Sequence, residues 1–200
     1  YQEVLTDPSH TNQLVLMTYP MIGNYGINAQ DNESDGIYLN ALICKEYSKT
    51  YDNYRATESL KSYLDRHNKV GLESIDTRAL TRHIRNKGAQ RAMITASDAP
   101  KDELLKKILA FPTMVGANLV SKVSKKHLQS YPSTQTKRFK VALIDCGVKQ
   151  HIIDCLNDSL CDVSRLPASS TASDILNGSF QGLFVSNGPG DPAAVDDVVE

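Results

Sequence analysis

The sequence holds no apolar run that approaches the roughly 20 residues of a membrane span. No membrane-crossing helix is therefore expected. Neither sign of charge dominates. Lys and Arg number 22 against 23 for Asp and Glu, a net charge of −1. That balance removes the electrostatic case for nucleic acid or an anionic membrane as partner. The four cysteines, Cys44, Cys146, Cys155 and Cys161, show no CxxC spacing and make no metal pattern with the five histidines. A reducing, cytoplasmic setting is expected. There is no GxGxxG and no Walker lysine loop, which weakens a nucleotide-binding reading. No internal repeat, low-complexity tract or signal peptide is visible. Residue 1 is Tyr rather than Met, and residues 1–5 read as part of a structured segment.

What is present suffices for a folded α/β protein. Hydrophobic residues make up 40% and charged residues 22% of 200 positions, enough for one large domain or two small ones. A polar, breaker-rich stretch at residues 129–139 reads as a linker between a domain at 1–128 and a second at 140–200. In the first, residues 14–20, 38–44 and 91–95 read as strands. Thr57 and Asp76 read as helix caps, with Gly88 as a stop, and a third helix follows Pro100. Leu80 and Ile84 are expected to face inward, and Leu104, Leu105, Ile108 and Leu109 to share one side of the third helix.

After the linker the pattern becomes regular. Residues 141–145, 163–167 and 183–185 read as strands, separated by helices at 151–157 and 173–177. Such alternation implies right-handed parallel crossovers. Few residues remain to cover both faces of a parallel sheet, and residue 200 falls inside an apparent helix. The second domain is therefore expected to be truncated.

The third strand runs into Ser186-Asn187-Gly188-Pro189-Gly190-Asp191-Pro192. Asp191 suits an N-cap and Pro192 the first helical position. The run is a strand-to-helix turn at the carboxyl edge of a sheet, where open α/β folds place ligands. Its glycines allow a sharp bend and close approach of a ligand to the main chain. The same residues also make an ordinary surface turn, and local chemistry leaves both readings open.

Three segments together carry a resemblance: Tyr1-Gln2-Glu3-Val4-Leu5-Thr6-Asp7-Pro8-Ser9, Ile75-Asp76-Thr77-Arg78-Ala79-Leu80-Thr81 and the 186–192 loop. Residues 19–24 and 85–90 fit as well. The whole chain resembles the small, glutamine-hydrolysing subunit of carbamoyl-phosphate synthetase. The resemblance implies a family-specific N-terminal domain, then the beginning of a class I (triad-type) glutamine amidotransferase domain. In that family a cysteine on a strand-to-helix elbow attacks L-glutamine and forms a thioester. A histidine and an acidic residue assist it. Ammonia then passes to a large subunit, which makes carbamoyl phosphate from bicarbonate and ATP for arginine and pyrimidine synthesis. The resemblance implies a heterodimer with no cofactor in this subunit, and ATP with Mg or Mn on the large one.

Carried over by position, Ser9, Gly188 and Gly190 would contact glutamine. Taken alone, Ser9 reads more simply as a turn hydroxyl beside Pro8. No Gly-x-Cys-x-Gly elbow and no following His-x-Glu occurs. Cys146 follows the domain's first strand, too early for the nucleophile, and is expected to be structural. Cys44 reads as a buried small hydrophobe. His83 and His151 are expected on helix surfaces, and His10, His67 and His127 in solvent. The expectation is a fragment without the start and the C-terminal catalytic half, with its nucleophile beyond Glu200 and no activity by itself. The alternative is a non-catalytic docking or regulatory subunit in which the downstream nucleophile is replaced.

Overall fold

The computed structural model describes residues 1–134, 136, 139–195 and 198. The chain opens with a short helix, α1 (Gln2–Thr6), followed by a 3-10 turn at Pro8–His10. Strand β1 (Leu14–Leu16) ends before Pro20, and β2 (Met21–Ile22) follows it. Next come β3 (Ala41–Ile43) and β4 (Glu46–Tyr47). Helix α2 (Leu60–Arg66) then leads to β5 (Val70–Leu72). The first sheet is parallel with β3 at its centre, in the order β1-β3-β5, and β2 pairs with β4 in a separate ribbon. All three residues of β3 are buried, as an unbroken Ala-Leu-Ile run in a central parallel strand requires. Leu39 and Leu42 pack there with Leu5, Ile22, Leu60 and Leu64 into one core.

The helix caps show where local sequence competes with tertiary contacts. The cap of α2 is Ser59, whose hydroxyl accepts from the Ser62 N–H, and not Thr57. Thr57 is held elsewhere, donating through both N–H and hydroxyl to the Ile27 carbonyl. Helix α3 (Thr77–Lys87) starts at Asp76, which accepts from the Ala79 N–H at 2.9 Å, and stops at Gly88 with φ +79°. Both ends match the sequence reading. The interior of α3 does not, because Leu80 and Ile84 are only half-buried. Helix α4 (Lys101–Ala110) follows Pro100 as expected, yet Leu105 and Leu109 are exposed. The strand expected at 91–95 does not form. Among the described residues no strand pairs with it, and Arg91 instead donates to the carbonyls of Leu109 and Phe111.

The stretch read as a linker begins with a strand, β6 (Gln129–Tyr131), paired antiparallel to a later strand. Residues 135, 137 and 138 of that stretch lie outside the described residues. The remaining elements follow the expected alternation: β7 (Phe139–Asp145), α5 (Gln150–Asp158), β8 (Cys161–Pro167), α6 (Ala172–Asn177) and β9 (Gly182–Val185). The sheet order is β6-β8-β7-β9, with β7 parallel to both of its neighbours.

Alternation along β7 divides two cores. Val141 and Leu143 face Ile153 of α5, while Ala142 and Ile144 face Val120, Leu166 and Val195. Residues 116–125 thus serve the second sheet, although they precede the expected linker. After the loop, where a helix was expected, the described residues form a 3-10 turn at Pro192–Ala194, capped by Asp191 and ending at Val195. Residues 196, 197, 199 and 200 lie outside the described residues.

Candidate functional site

Two turns meet at the carboxyl edge of the second sheet. One follows β7 and consists of Cys146, Gly147 and Val148. The other follows β9 and runs from Ser186 to Asp191. Asp145, fully buried at the end of β7, organises the first. Its Oδ1 accepts the N–H groups of Gly147 and Val148, and its Oδ2 accepts the Lys125 N–H at 2.7 Å. The Arg165 guanidinium, reaching from β8, completes the set at 2.8 Å. A carboxylate so deeply buried needs this full complement of donors to offset its lost hydration.

The second turn rests on the first. The Ser186 hydroxyl accepts the Cys146 N–H at 2.9 Å and donates to the Asn187 carbonyl. A Cβ on Gly188 would lie 2.0 Å from the Cys146 carbonyl oxygen, so only glycine allows that contact. Gly190 has φ +90°, and a Cβ there would lie 2.3 Å from the Ala117 carbonyl oxygen. Both loop glycines are therefore demanded by main-chain packing. Asp191 fastens the far end, accepting from the N–H groups of Gly116 and Ala193. Those bonds, Gly116 first, hold its carboxyl below the usual range.

The packed loop still offers donors. Among the described residues, no acceptor takes the N–H groups of Gly188 and Gly190. Gly188 is exposed and Gly190 half-buried. Main-chain amides fixed in this way are rigid donors for a carboxylate or a developing oxyanion.

The N-terminal part closes over this edge. Ser9 lies in the turn after α1, where its N–H donates to Asp7 Oδ1 and its carbonyl accepts from Gln13. Asn187 Nδ2 donates to Ser9 Oγ at 2.7 Å, joining residues 178 positions apart. A Cβ on Gly147 would meet Val123, Pro189 and Pro8 at 2.9–3.3 Å, so the two turns and the N-terminal segment touch there. The structure thus brings Ser9 to the glycine loop, through Asn187.

A second clamp lies beside it. Glu33 is buried and its Oε2 accepts the His151 N–H in the first turn of α5, while its carbonyl accepts the Gln150 N–H. The Lys149 ammonium reaches Glu33 Oε1 at 3.0 Å. Burial pushes that ammonium down, but bonding to Glu33 outweighs it and the net shift is upward. Asp35 pairs with Lys125 at 2.5 Å, and that bond holds its carboxyl below the usual range against partial burial.

Among the described residues, no cysteine at the meeting of the two turns is paired with a base. Cys146 is buried, and burial followed by the nearby Asp145 pushes its thiol up, which keeps it protonated and unreactive. Cys44 and Cys161 are also buried, Cys44 in the first core as expected. Cys155 is exposed on α5, with its Sγ 3.6 Å from His151 Nε2. His83, His127 and His151 are exposed, as expected. His67 is not solvated as expected: it is half-buried, set edge-on against Tyr63, and burial lowers its pKa. His10 is half-buried too. No group of three metal-ligating side chains occurs among the described residues.

The comparisons with known proteins bear on both halves. Residues 1–94 match the family model described as carbamoyl-phosphate synthase small chain, CPSase domain. Residues 142–200 match glutamine amidotransferase class-I. The carbamoyl phosphate synthase small chain of Nitratidesulfovibrio vulgaris (strain Miyazaki F) is 42% identical over 214 residues, covering 100% of this chain and 57% of that protein. Along its whole length the chain is similar to carbamoyl-phosphate synthase small chains. Small chains from Chlorobaculum tepidum and Thermotoga maritima are 45% and 44% identical over 195 residues each, covering 98% of this chain and 53% and 49% of theirs. The chain spans about half the length of these relatives.

Within this small-chain framework, the Ser9 turn falls in the first match and the glycine loop in the second. Several residues that shape the edge are not apparent from sequence. Asp145 leaves one signal, a lone carboxylate closing an apolar run at the end of a parallel strand. Glu33, Arg165 and Asn187 leave none, because their partners lie far away in the chain.

Proposed function

We infer that this chain is part of the glutamine-hydrolysing small subunit of a carbamoyl-phosphate synthase. The observation that carries the reading is the contact of Ser9 with a loop whose Gly188 and Gly190 amides remain free to donate. In this proposal Ser9, Gly188 and Gly190 hold L-glutamine. If one loop amide faces the developing oxyanion, it contributes about 3 kcal/mol to lowering the barrier. A cysteine outside these 200 residues attacks the carboxamide and forms a thioester, with a histidine as base and an acidic residue orienting it. Ammonia passes to the large subunit, which holds ATP with Mg or Mn and forms carbamoyl phosphate from bicarbonate, for arginine and pyrimidine synthesis. The setting is the cytoplasm.

The test uses two preparations. A purified protein of these 200 residues should release no glutamate from glutamine above a buffer blank. The full-length small chain joined to its large subunit should make carbamoyl phosphate from glutamine. Glutaminase activity in the 200-residue protein would overturn the assignment of the nucleophile. A full-length complex that uses only free ammonia would show instead a docking subunit with its nucleophile replaced.

A further inference from the structure

The Ser9 turn is held on both sides of its hydroxyl. Its N–H is taken by Asp7, its carbonyl by Gln13, and Pro8 packs against the turn after β7. What remains free is the χ1 rotor and the direction of the hydroxyl proton. Asn187 removes both freedoms. A serine hydroxyl can donate or accept, whereas an amide NH2 can only donate. With Asn187 Nδ2 at 2.7 Å, Ser9 Oγ is the acceptor of that bond. Its own proton must point elsewhere, and no described residue takes it.

We propose that Asn187 is a positioning residue that fixes the Ser9 hydroxyl as a donor and so makes the site select an acceptor oxygen of its ligand. The inference rests on the reading of Ser9 as a glutamine contact. The neighbouring Gly188 and Gly190 amides are donors as well, so this wall offers three donors to one ligand. It suits the α-carboxylate or the carboxamide oxygen of an amino acid amide.

The experiment uses the full-length small chain in complex with its large subunit and glutamine as the variable substrate. Asn187→Ala should raise KM for glutamine about five-fold, the weight of one neutral hydrogen bond, with little change in kcat. Asn187→Asp should be worse than Asn187→Ala, because a carboxylate takes the Ser9 proton. Ser9→Ala should also raise KM, and adding Asn187→Ala to it should bring no further rise. Ammonia-dependent synthesis and melting temperature report whether each variant is folded and assembled. If Ser9→Ala raises KM while Asn187→Ala only lowers the melting temperature, Asn187 is a latch between the two halves and the inference falls. Additive effects, or Asn187→Asp no worse than Asn187→Ala, overturn it as well. If Ser9→Ala leaves KM unchanged, the reading of Ser9 as a glutamine contact is what fails.

Discussion

A single methyl group at residue 188 measures how tightly the loop is seated. The space it would occupy belongs to a backbone oxygen, which cannot rotate away as a side chain could. Gly188→Ala should therefore destabilise the full-length protein by about 1–3 kcal/mol, the usual range for overpacking. It should also raise KM for glutamine by moving the loop amides. An unchanged melting temperature would show that the turns after β7 and β9 are not in close contact. The glycines were legible in sequence because Gly-Pro-Gly after an apolar strand marks a turn at the strand's carboxyl end. Their reason was not legible, since both offending carbonyls, those of Cys146 and Ala117, belong to distant segments. Asn187 was visible only as one letter of the loop, because the bond that distinguishes it spans almost the whole chain.

At the scale of elements, the first turn of α5 has no capping side chain of its own. Lys149 occupies the cap position and makes no side-chain cap bond. Glu33 supplies the missing acceptor from the N-terminal part. Negative charge at a helix N-terminus is favourable, and here it also neutralises Lys149. Glu33→Ala should cost about 1–2 kcal/mol, since it leaves an uncapped turn and a half-buried Lys149 without its partner. Glu33→Gln should cost less, because a carboxamide oxygen can still accept the His151 N–H. Equal losses in thermal denaturation would refute the capping account. The local cap of α3, Asp76, was readable in advance, whereas the capping box of α6, Thr171 with Asp174, emerged only in the structure. The alternating β7 was also readable, because its apolar run is long enough to mark a buried strand. Strand β6 was not, since polar Gln129 and Ser130 become a strand only by pairing with β8. The apparent strand at 91–95 had the composition of one but no neighbour to pair with.

For the molecule as a whole, the ties that hold this edge together carry charge and therefore answer to pH. Asp35 and Asp191 both have carboxyl pKa values below the ordinary 3.8, through bonds to Lys125 and to Gly116 respectively. A depressed carboxylate stabilises the fold above its unfolded pKa, and that contribution disappears as pH falls through the folded value. Lys149 is shifted above 10.5, so its contribution is present below that pH and lost as pH rises through the folded value. The junction should hold from about pH 5 to pH 10 and loosen on either side. Melting temperature followed from pH 6 down to pH 3 should fall less steeply in Asp35→Asn than in the parent protein. Parallel curves would remove Asp35 from the acid limb.

The bond between Asn187 and Ser9 also sets an order in time. A ribosome adds roughly 5–20 residues per second, so Ser9 emerges on the order of 10–40 s before the residue that will orient it. Its turn can form at once from Asp7 and Gln13, both close by in the chain. The hydroxyl acquires a fixed direction only after the second sheet has folded and docked. Recognition at this edge therefore waits for a residue made 178 positions after the one that provides it.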